Sequence, residues 1–429
     1  MLKEPAPNVA SVSSASCCLS YREQRYAALR QIIPDIRVRL YEKVDPELLR
    51  AAAAEALSFH PLFKTKLTRR DGLYYLIEND KEPVIREETW VCPLVFGTEE
   101  DHGYLWSFTY SENLILLTLS HALTDASGAM AFLKTVLMLY LQKTGKLAAD
   151  TLPERASGGV LSNPYELFLE EPFSPPGVPR FSGPSLISDD ARDGETGITA
   201  YKVIFDRDEI RHAFKDSETS MFSVLACMLA RSVEKTFHLT EGSIEIRVPS
   251  DLRHLFHVDT DRNFVYGFLL HYDVGRMKRL SDAGVETAFR SQMDLFIDRD
   301  NLLGKMHREN ELFEELKQHP EYLNNVNPQT ESQTRMPAKV MYSHMTRPGF
   351  PPELEERIAK LEYVVHGERD SYLLFMAITW KDKIEMSVHS ARSEQMVKAL
   401  REEAENRGFF CEVEPERTRP APVFRPEIQ

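Results

Sequence analysis

Residues 118–128 read TLSHALTDASG, and this stretch says more about the fold than any other part of the chain. An apolar run, residues 114–119, leads into it, and a second apolar segment with helical spacing, residues 130–141, follows it. The pattern predicts a short turn between a buried strand and a buried helix. His121 and Asp125 lie in that turn, where a rigid strand end can hold an imidazole in place. An imidazole and a carboxylate in this setting are typical of a base that removes a proton from a hydroxyl or an amine.

The same turn has a second interpretation that involves no chemistry. Asp125 is a good N-cap for the helix that follows, and His121 would then be a hydrogen-bonded bystander. Motifs of two residues occur often by chance, so the rest of the chain must decide between the two interpretations.

The overall composition excludes several classes of protein. The chain has 429 residues, of which 42% are hydrophobic, and this is enough for two large cores. Its formal net charge is -14, whereas proteins that bind a nucleic-acid backbone need basic patches, so we expect no nucleic-acid partner. No apolar run reaches the roughly 18 residues that a membrane helix needs, and the N-terminus lacks the apolar core of a signal peptide. We therefore expect no membrane span.

The cysteines and histidines indicate a reducing compartment and argue against a metal site. The five cysteines are odd in number and include no CxxC pair; they are Cys17, Cys18, Cys92, Cys227 and Cys411. Because disulfide frameworks use paired cysteines, we expect free thiols and a cytoplasmic protein. The thirteen histidines include no HExxH motif, so we expect no bound metal.

Shifts in composition divide the chain into five parts. Residues 1–20 are predicted to be a disordered lead-in, and residues 21–150 form an N-terminal lobe that carries the HxxxD turn. Residues 151–198 are rich in Pro, Gly, Ser and Asp, which predicts a crossover or linker. Residues 199–415 are predicted to form a C-terminal lobe, and the Pro-rich residues 416–429 a flexible tail.

Local signals predict that strands and helices occur in both halves. Asp45-Pro46-Glu47 is typical of a helix start, and Asp71-Gly72 is typical of a hairpin turn. The fold class predicted is α/β (α+β), with two lobes that each contain a mostly mixed β-sheet and flanking helices.

Four segments, taken in order, resemble the chloramphenicol acetyltransferase-like superfamily. They are HPL at 60–62, HALTD at 121–125, VPSDLR at 248–253 and RNF at 262–264. This superfamily includes condensation domains of non-ribosomal peptide synthetases and polyketide-associated acyltransferases, and the chain most resembles its stand-alone alcohol acetyltransferases. The resemblance covers residues 20–415.

The chain also departs from the pattern of the superfamily, which often reads HHxxxDG. Ser120 stands in the place of the first His, and Ala126 stands where Gly is usual, with Gly128 two residues later. A Ser-Asn-x-Gly signal in the second half is replaced by the sequence YSHMT at 342–346. These departures leave open an altered chemistry or an inactive relative.

The resemblance implies a catalytic pair, His121 and Asp125, in a tunnel between the two lobes. His121 would act as the general base, while Asp125 would hold the motif loop by pairing with an arginine, for which Arg253 is the candidate. Arg253, Asn263 and Ser343 are the candidate substrate-binding residues. Asn263 and Ser343 are also candidate donors to the oxyanion, and a backbone N–H is an equal alternative.

The resemblance implies no bound cofactor. Acyl-CoA would be the co-substrate, and a small-molecule alcohol or amine would be the acceptor. Two alternatives stay open: a condensation-type enzyme that uses an acyl or peptidyl carrier protein, and a non-catalytic protein that kept the fold. The presence of both His121 and Asp125 argues against the second alternative, although a fold by itself never establishes a function.

Overall fold

The computed structural model describes residues 16–148, 162–174, 200–213, 219–326, 340–346, 348–364, 373–390, 392–417, 419–426 and 428. The strands are β1 (Cys17–Cys18), β2 (Asp35–Leu40), β3 (Thr65–Arg70), β4 (Leu73–Glu78), β5 (Ile85–Glu87), β6 (Val95–Phe96), β7 (Trp106–Ser111), β8 (Leu114–Leu119), β9 (Ala200–Asp206), β10 (Ser243–Asp251), β11 (Val265–Asp273), β12 (Val340–Met345), β13 (Ile358–Val364), β14 (Leu373–Trp380), β15 (Lys383–His389), β16 (Cys411–Pro415) and β17 (Val423–Phe424).

The α-helices alternate with these strands along the chain. They are α1 (Tyr21–Leu29), α2 (Pro46–Ala56), α3 (Ala126–Lys143), α4 (Arg207–Ala213), α5 (Met221–Thr236), α6 (Arg253–Phe256), α7 (Val274–Met277), α8 (Asp282–Phe296), α9 (Arg299–Gln318), α10 (Tyr322–Asn325), α11 (Pro352–Glu355) and α12 (Ser393–Asn406). Short 3-10 helices cover Pro61–Lys64, Glu99–Asp101 and Pro164–Phe168. The predicted α/β class is confirmed.

A five-stranded mixed sheet organises the N-terminal lobe. Its strand order is β13-β2-β8-β7-β5, and β8 lies at its centre with all six residues buried. A strand that is apolar on both faces can be buried on both, which is why the LILLTL run takes the central position. The helix that follows, α3, is also buried over most of its length. The HxxxD turn therefore connects two of the most rigid elements of the lobe.

A seven-stranded mixed sheet organises the second lobe, in the order β11-β10-β12-β14-β15-β9-β16. Its side chains alternate between two cores, as the pleat of a strand requires. On β14, Phe375 and Ala377 belong to the second core, whereas Met376 and Ile378 belong to the core of the N-terminal lobe. One face of this sheet thus packs directly against the other lobe.

The second half of the chain also contributes to the first lobe, although the predicted boundaries assigned all of residues 199–415 to the second lobe. Strand β13 leaves the second lobe and pairs antiparallel with β2. Strand pairing joins residues that are distant in sequence, so an apolar run identifies a strand without identifying its neighbour.

The C-terminal segment is docked and not loose. Strand β17 pairs in parallel with β6. The Arg419 side chain is fully buried and forms ion pairs with Asp35 and Glu88 of the N-terminal lobe. The prediction of a flexible tail over 416–429 is therefore wrong for its described part, because a buried cation between two carboxylates fixes the backbone around it.

The lead-in and the crossover also differ from the prediction where the structure describes them. Strand β1 pairs with β4, and Ser20 caps α1 through a reciprocal bond with Glu23, so residues 16–20 are structured. In the predicted crossover, the 3-10 helix at Pro164–Phe168 packs Tyr165 into the second core. The rest of both predicted segments lies outside the described residues. Over the part that the structure describes, no helix is long and apolar enough to cross a membrane.

Candidate active site

His121 directly follows the central strand β8 and is held there by main-chain bonds. Its backbone N–H donates to the carbonyl oxygen of Gln31 at 2.7 Å, and the preceding residue, Ser120, forms a bridge with Ile32. The side chain is partly exposed, in contrast to the buried residues on either side. The strand thus presents one accessible imidazole at its end.

Hydrogen bonding assigns different roles to the two ring nitrogens of His121. Nδ1 lies 3.0 Å from the carbonyl oxygen of Thr124. A carbonyl oxygen only accepts, so Nδ1 carries the hydrogen in the neutral ring and Nε2 carries the lone pair. Among the described residues, Nε2 has no hydrogen-bond partner. The turn therefore fixes the tautomer in which the exposed nitrogen can accept a proton.

The surroundings keep this imidazole neutral. Burial lowers the pKa of His121 below its ordinary value, the Asp125 charge opposes that effect, and the Arg22 charge adds to it. A base must be unprotonated to act, so a lowered pKa keeps Nε2 available at neutral pH.

An aromatic ring covers one face of His121. The Tyr26 ring, from α1, is stacked on the imidazole with ring centroids 4.1 Å apart and an angle of 16° between the planes. No sequence signal predicts this contact, because an aromatic residue on an amphipathic helix is usually part of a core.

Asp125 supports the turn and is not in hydrogen-bond contact with the imidazole. Its Oδ1 accepts from the backbone N–H groups of Ser127 and Gly128, both at 3.0 Å, and so caps α3. Its Oδ2 accepts from Arg253 Nη1 at 3.0 Å and from the backbone N–H of Phe264 at 2.8 Å. One oxygen of this carboxylate therefore caps α3, and the other pairs with the arginine.

The Arg253 guanidinium is directed toward the motif and the segment that packs on it. Besides Asp125, Nη1 donates to Asp251 at 3.0 Å, Nε donates to the carbonyl oxygen of Thr260 at 2.9 Å, and Nη2 donates to that of Arg262 at 2.7 Å. Burial opposes the charge of Arg253, but Asp125 and Asp251 raise its pKa above the ordinary value. The structure thus uses as a brace a side chain that the resemblance placed among the substrate contacts.

Arg253 braces a five-residue segment of the second lobe, residues 260–264, which we name the motif clamp. Within it, the Asn263 amide Nδ2 donates to the main-chain carbonyl of His121 at 2.9 Å. The carbonyl of Asp261 accepts from the Thr124 hydroxyl, and Phe264 holds Asp125 as described above. Asn263 is fully buried, and this bond holds the turn; its predicted contact with a substrate stays a prediction.

The clamp also reaches two elements that flank the turn. The Asp261 carboxylate lies 2.8 Å from His60 Nδ1, and His60 Nε2 lies 2.8 Å from the Thr135 hydroxyl on α3. Arg262 is buried and forms an ion pair with Glu23 of α1. The His-Pro-Leu and Arg-Asn-Phe segments, far apart in sequence, thus meet around the HxxxD turn.

The departure at Ala126, with Gly128 two residues later, has a simple structural reason. Ala126 is the first residue of α3, and it has no positive φ, so a side chain there is tolerated without strain. Gly128 is the position that needs Gly, because a Cβ atom there would overlap the Asp261 carbonyl oxygen and the Thr124 hydroxyl. The glycine permits close approach of the motif clamp to α3.

Ser343 lies on the face of its strand that is turned toward the N-terminal lobe. It lies on β12, and the alternation of that strand places it on the same face as Met341 and Met345, which pack against the N-terminal core. Within the described residues, no hydrogen bond joins Ser343 to His121 or Asp125. Its predicted role as an oxyanion donor stays a prediction.

Other candidate chemistries lack support in the described part of the chain. No group of three or more His, Cys, Asp or Glu residues there could hold a metal ion. Cys227 is buried, and burial raises the pKa of its thiol to about 12, which disfavours a nucleophilic thiolate.

Comparisons with known proteins define the fold. No family model matches the sequence, and no curated protein matches it significantly. Among solved structures, polyketide synthase associated protein 5 from Mycobacterium tuberculosis is similar over 90% of this chain and 96% of its own, at 13% identity and a TM-score of 0.58. TRI101 from F. graminearum, solved with coenzyme A and T-2 mycotoxin, is similar over 93% of this chain and 100% of its own, at 12% identity and a TM-score of 0.60.

A third similar structure is the condensation domain that mediates chain release from the enacyloxin polyketide synthase. The similarity extends over 94% of this chain and 85% of the condensation-domain chain, at 10% identity and a TM-score of 0.51. The chain therefore has the two-lobed chloramphenicol acetyltransferase-like fold that its sequence resembles, as predicted. These identities establish the fold alone, so the activity has to be argued from the site.

Proposed function

We propose that this protein is an acyltransferase that moves an acyl group from acyl-CoA to the hydroxyl or amine of a small molecule. The observation that supports this most is the state of His121. Its Nδ1 is committed to the Thr124 carbonyl, while its Nε2 is free among the described residues on a partly exposed side chain. A fixed tautomer with one available lone pair suits general-base catalysis.

The reaction needs one proton to move twice. Nε2 of His121 takes the proton of the acceptor while the acceptor oxygen or nitrogen bonds to the thioester carbonyl carbon, and the carbonyl electrons move to oxygen. When the carbonyl re-forms, the carbon–sulfur bond breaks, and the leaving thiolate takes the proton back from Nε2. The products are an ester or amide and free CoA thiol, and no covalent enzyme intermediate is needed.

Asp125 and Arg253 contribute by positioning. They hold the turn through the 3.0 Å contact between Arg253 Nη1 and Asp125 Oδ2 and through the cap on α3. An imidazole displaced by about 1 Å can cost on the order of 100-fold in rate, so a rigid turn is part of the catalytic device.

The test is release of free CoA thiol from a panel of acyl-CoAs with mixed alcohols and amines. We expect release that depends on the acceptor in the wild type and falls by 100-fold or more, in order of magnitude, in His121→Ala. His319→Ala is the matched control, since that side chain is 73% exposed and directly follows the C-terminal end of α9. Transfer at the wild-type rate by His121→Ala would refute the proposal.

A second candidate function uses the same base with a different donor. The similarity to a condensation domain favours a thioester carried by an acyl or peptidyl carrier protein. The same assay with carrier-bound acyl groups distinguishes the two, because a carrier-dependent enzyme would release the carrier thiol and ignore free acyl-CoA. A folded protein that is inactive with both donors would favour the non-catalytic alternative.

A further inference from the structure

The contact between Tyr26 and His121 involves a residue outside the HxxxD motif. The two rings are nearly parallel, at 16°, with centroids 4.1 Å apart, and both side chains are partly exposed. Tyr26 comes from α1, which two ion pairs anchor: Glu23 pairs with Arg262 of the motif clamp, and Arg22 pairs with Glu309 on α9. The helix therefore delivers a fixed aromatic ring to the face of the imidazole.

We propose that Tyr26 positions His121 through its ring and contacts the acceptor through its hydroxyl. This inference rests on the proposed function, and it adds a residue that neither the motif nor the motif clamp includes. The Tyr26 hydroxyl makes no hydrogen bond within the described residues, although the side chain is partly exposed. His121 Nε2 is likewise free there.

Two free polar atoms on stacked rings form a two-point site. An acceptor hydroxyl that donates its proton to Nε2 can at the same time accept a hydrogen bond from the Tyr26 hydroxyl. That second bond would orient the acceptor lone pair, which is the part of catalysis that depends on geometry.

The ring has a separate effect on the base. It removes water from one face of the imidazole, and burial is the largest cause of the lowered pKa of His121. The charged groups that act most on the pKa of His121 are Asp125 from the turn and Arg22 from α1, and the titratable Tyr26 ring is stacked on the imidazole. Loss of the ring should therefore raise the pKa of His121 toward its ordinary value of about 6.5.

Two substitutions separate the ring from the hydroxyl. Tyr26→Phe keeps the stack and should raise the KM for the acceptor by about 3- to 10-fold, the effect of one lost hydrogen bond, without moving the acid limb of the kcat/KM–pH profile. Tyr26→Ala should raise the same KM, lower kcat and move the acid limb to higher pH. Tyr75→Phe and Tyr75→Ala are matched controls, because Tyr75 is also partly buried against the N-terminal core.

The His121 titration followed by NMR in Tyr26→Ala gives a readout that does not require turnover. An unmoved His121 pKa would overturn the positioning role, and a Tyr26→Phe variant with wild-type KM would overturn the acceptor contact. A Tyr26→Ala enzyme more active than the wild type would show that the ring merely covers the base. If His121→Ala retains full activity while the NMR shift appears, the proposed function fails and the stacking effect stands.

Discussion

Replacing Arg253 tests whether the two lobes hold the HxxxD turn in place. The guanidinium donates to four groups at once: Asp125 Oδ2 and Asp251 Oδ1, each at 3.0 Å, the Thr260 carbonyl at 2.9 Å and the Arg262 carbonyl at 2.7 Å. The side chains of Arg253 and Asp125 are 13% and 3% exposed. Arg253→Met therefore leaves a buried carboxylate without its counter-charge, which costs about 3–5 kcal/mol of the free energy of unfolding. Arg253→Lys keeps the charge and loses the fork geometry, for which we expect about 1–3 kcal/mol.

Urea unfolding followed by circular dichroism measures these losses at neutral pH. A double-mutant cycle with Asp125→Asn isolates the pair, and the double variant should lose less stability than the two single variants together. Activity should fall about 100-fold in Arg253→Met, because the displaced turn misplaces His121. Arg308→Met is the control, since that arginine is exposed on α9 and should leave stability and activity unchanged. A loss below about 1 kcal/mol with full activity would refute the reasoning that the pair holds the turn.

Three further predictions concern buried groups. Burial raises the pKa of Glu416 to about 7, so the wild-type protein loses stability as the pH rises from about 4.5 through 7. Glu416→Gln removes this loss, so in urea unfolding its gain in free energy of unfolding over the wild type should be about 2–3 kcal/mol larger at about pH 8 than at about pH 5. Burial lowers the pKa of His344 to about 4, so the protein loses stability as the pH falls below about 6.5. With the carboxylates of the variant titrating as in the wild type, His344→Gln should remove about 2 kcal/mol of the stability lost between about pH 7 and pH 5. Gly128→Ala should lower the free energy of unfolding by about 1–3 kcal/mol and reduce transfer, because its Cβ would overlap the Asp261 carbonyl; a fully stable, fully active variant would contradict the close approach.

The local elements could be predicted because their signals are local. The LILLTL run predicted β8, the Asp45-Pro46 start predicted α2, and the Asp71-Gly72 turn predicted the β3–β4 hairpin. Both turn residues have a positive φ, as such a turn requires. The pairing of β13 with β2 and the docking of Arg419 could not be predicted. Both join segments that are hundreds of residues apart, and one sequence contains no measure of such contacts.

The candidate site was likewise predictable only in part. The spacing of His121 and Asp125 could be interpreted from the strand and helix around them, and the resemblance supplied Arg253 as a partner. Asn263 was expected to face the substrate, whereas its amide holds the His121 carbonyl at 2.9 Å. The Tyr26 ring was missed, because α1 meets the turn only through the tertiary fold.

The motif clamp explains why four weak segments, taken in order, carried a correct prediction of the fold. Each segment alone is common, but HPL, HALTD, VPSDLR and RNF supply His60, Asp125, Arg253 and Asn263 to one connected set of hydrogen bonds. A base whose orientation depends on contacts from both lobes works only when the lobes are together. If the lobes separate, the turn loses Arg253 and the backbone donor at Phe264 at once, and the His121 carbonyl loses the Asn263 amide. Under the proposed function, we therefore expect proton transfer to require the closed arrangement of the two lobes, which is also the arrangement that would exclude water from a thioester.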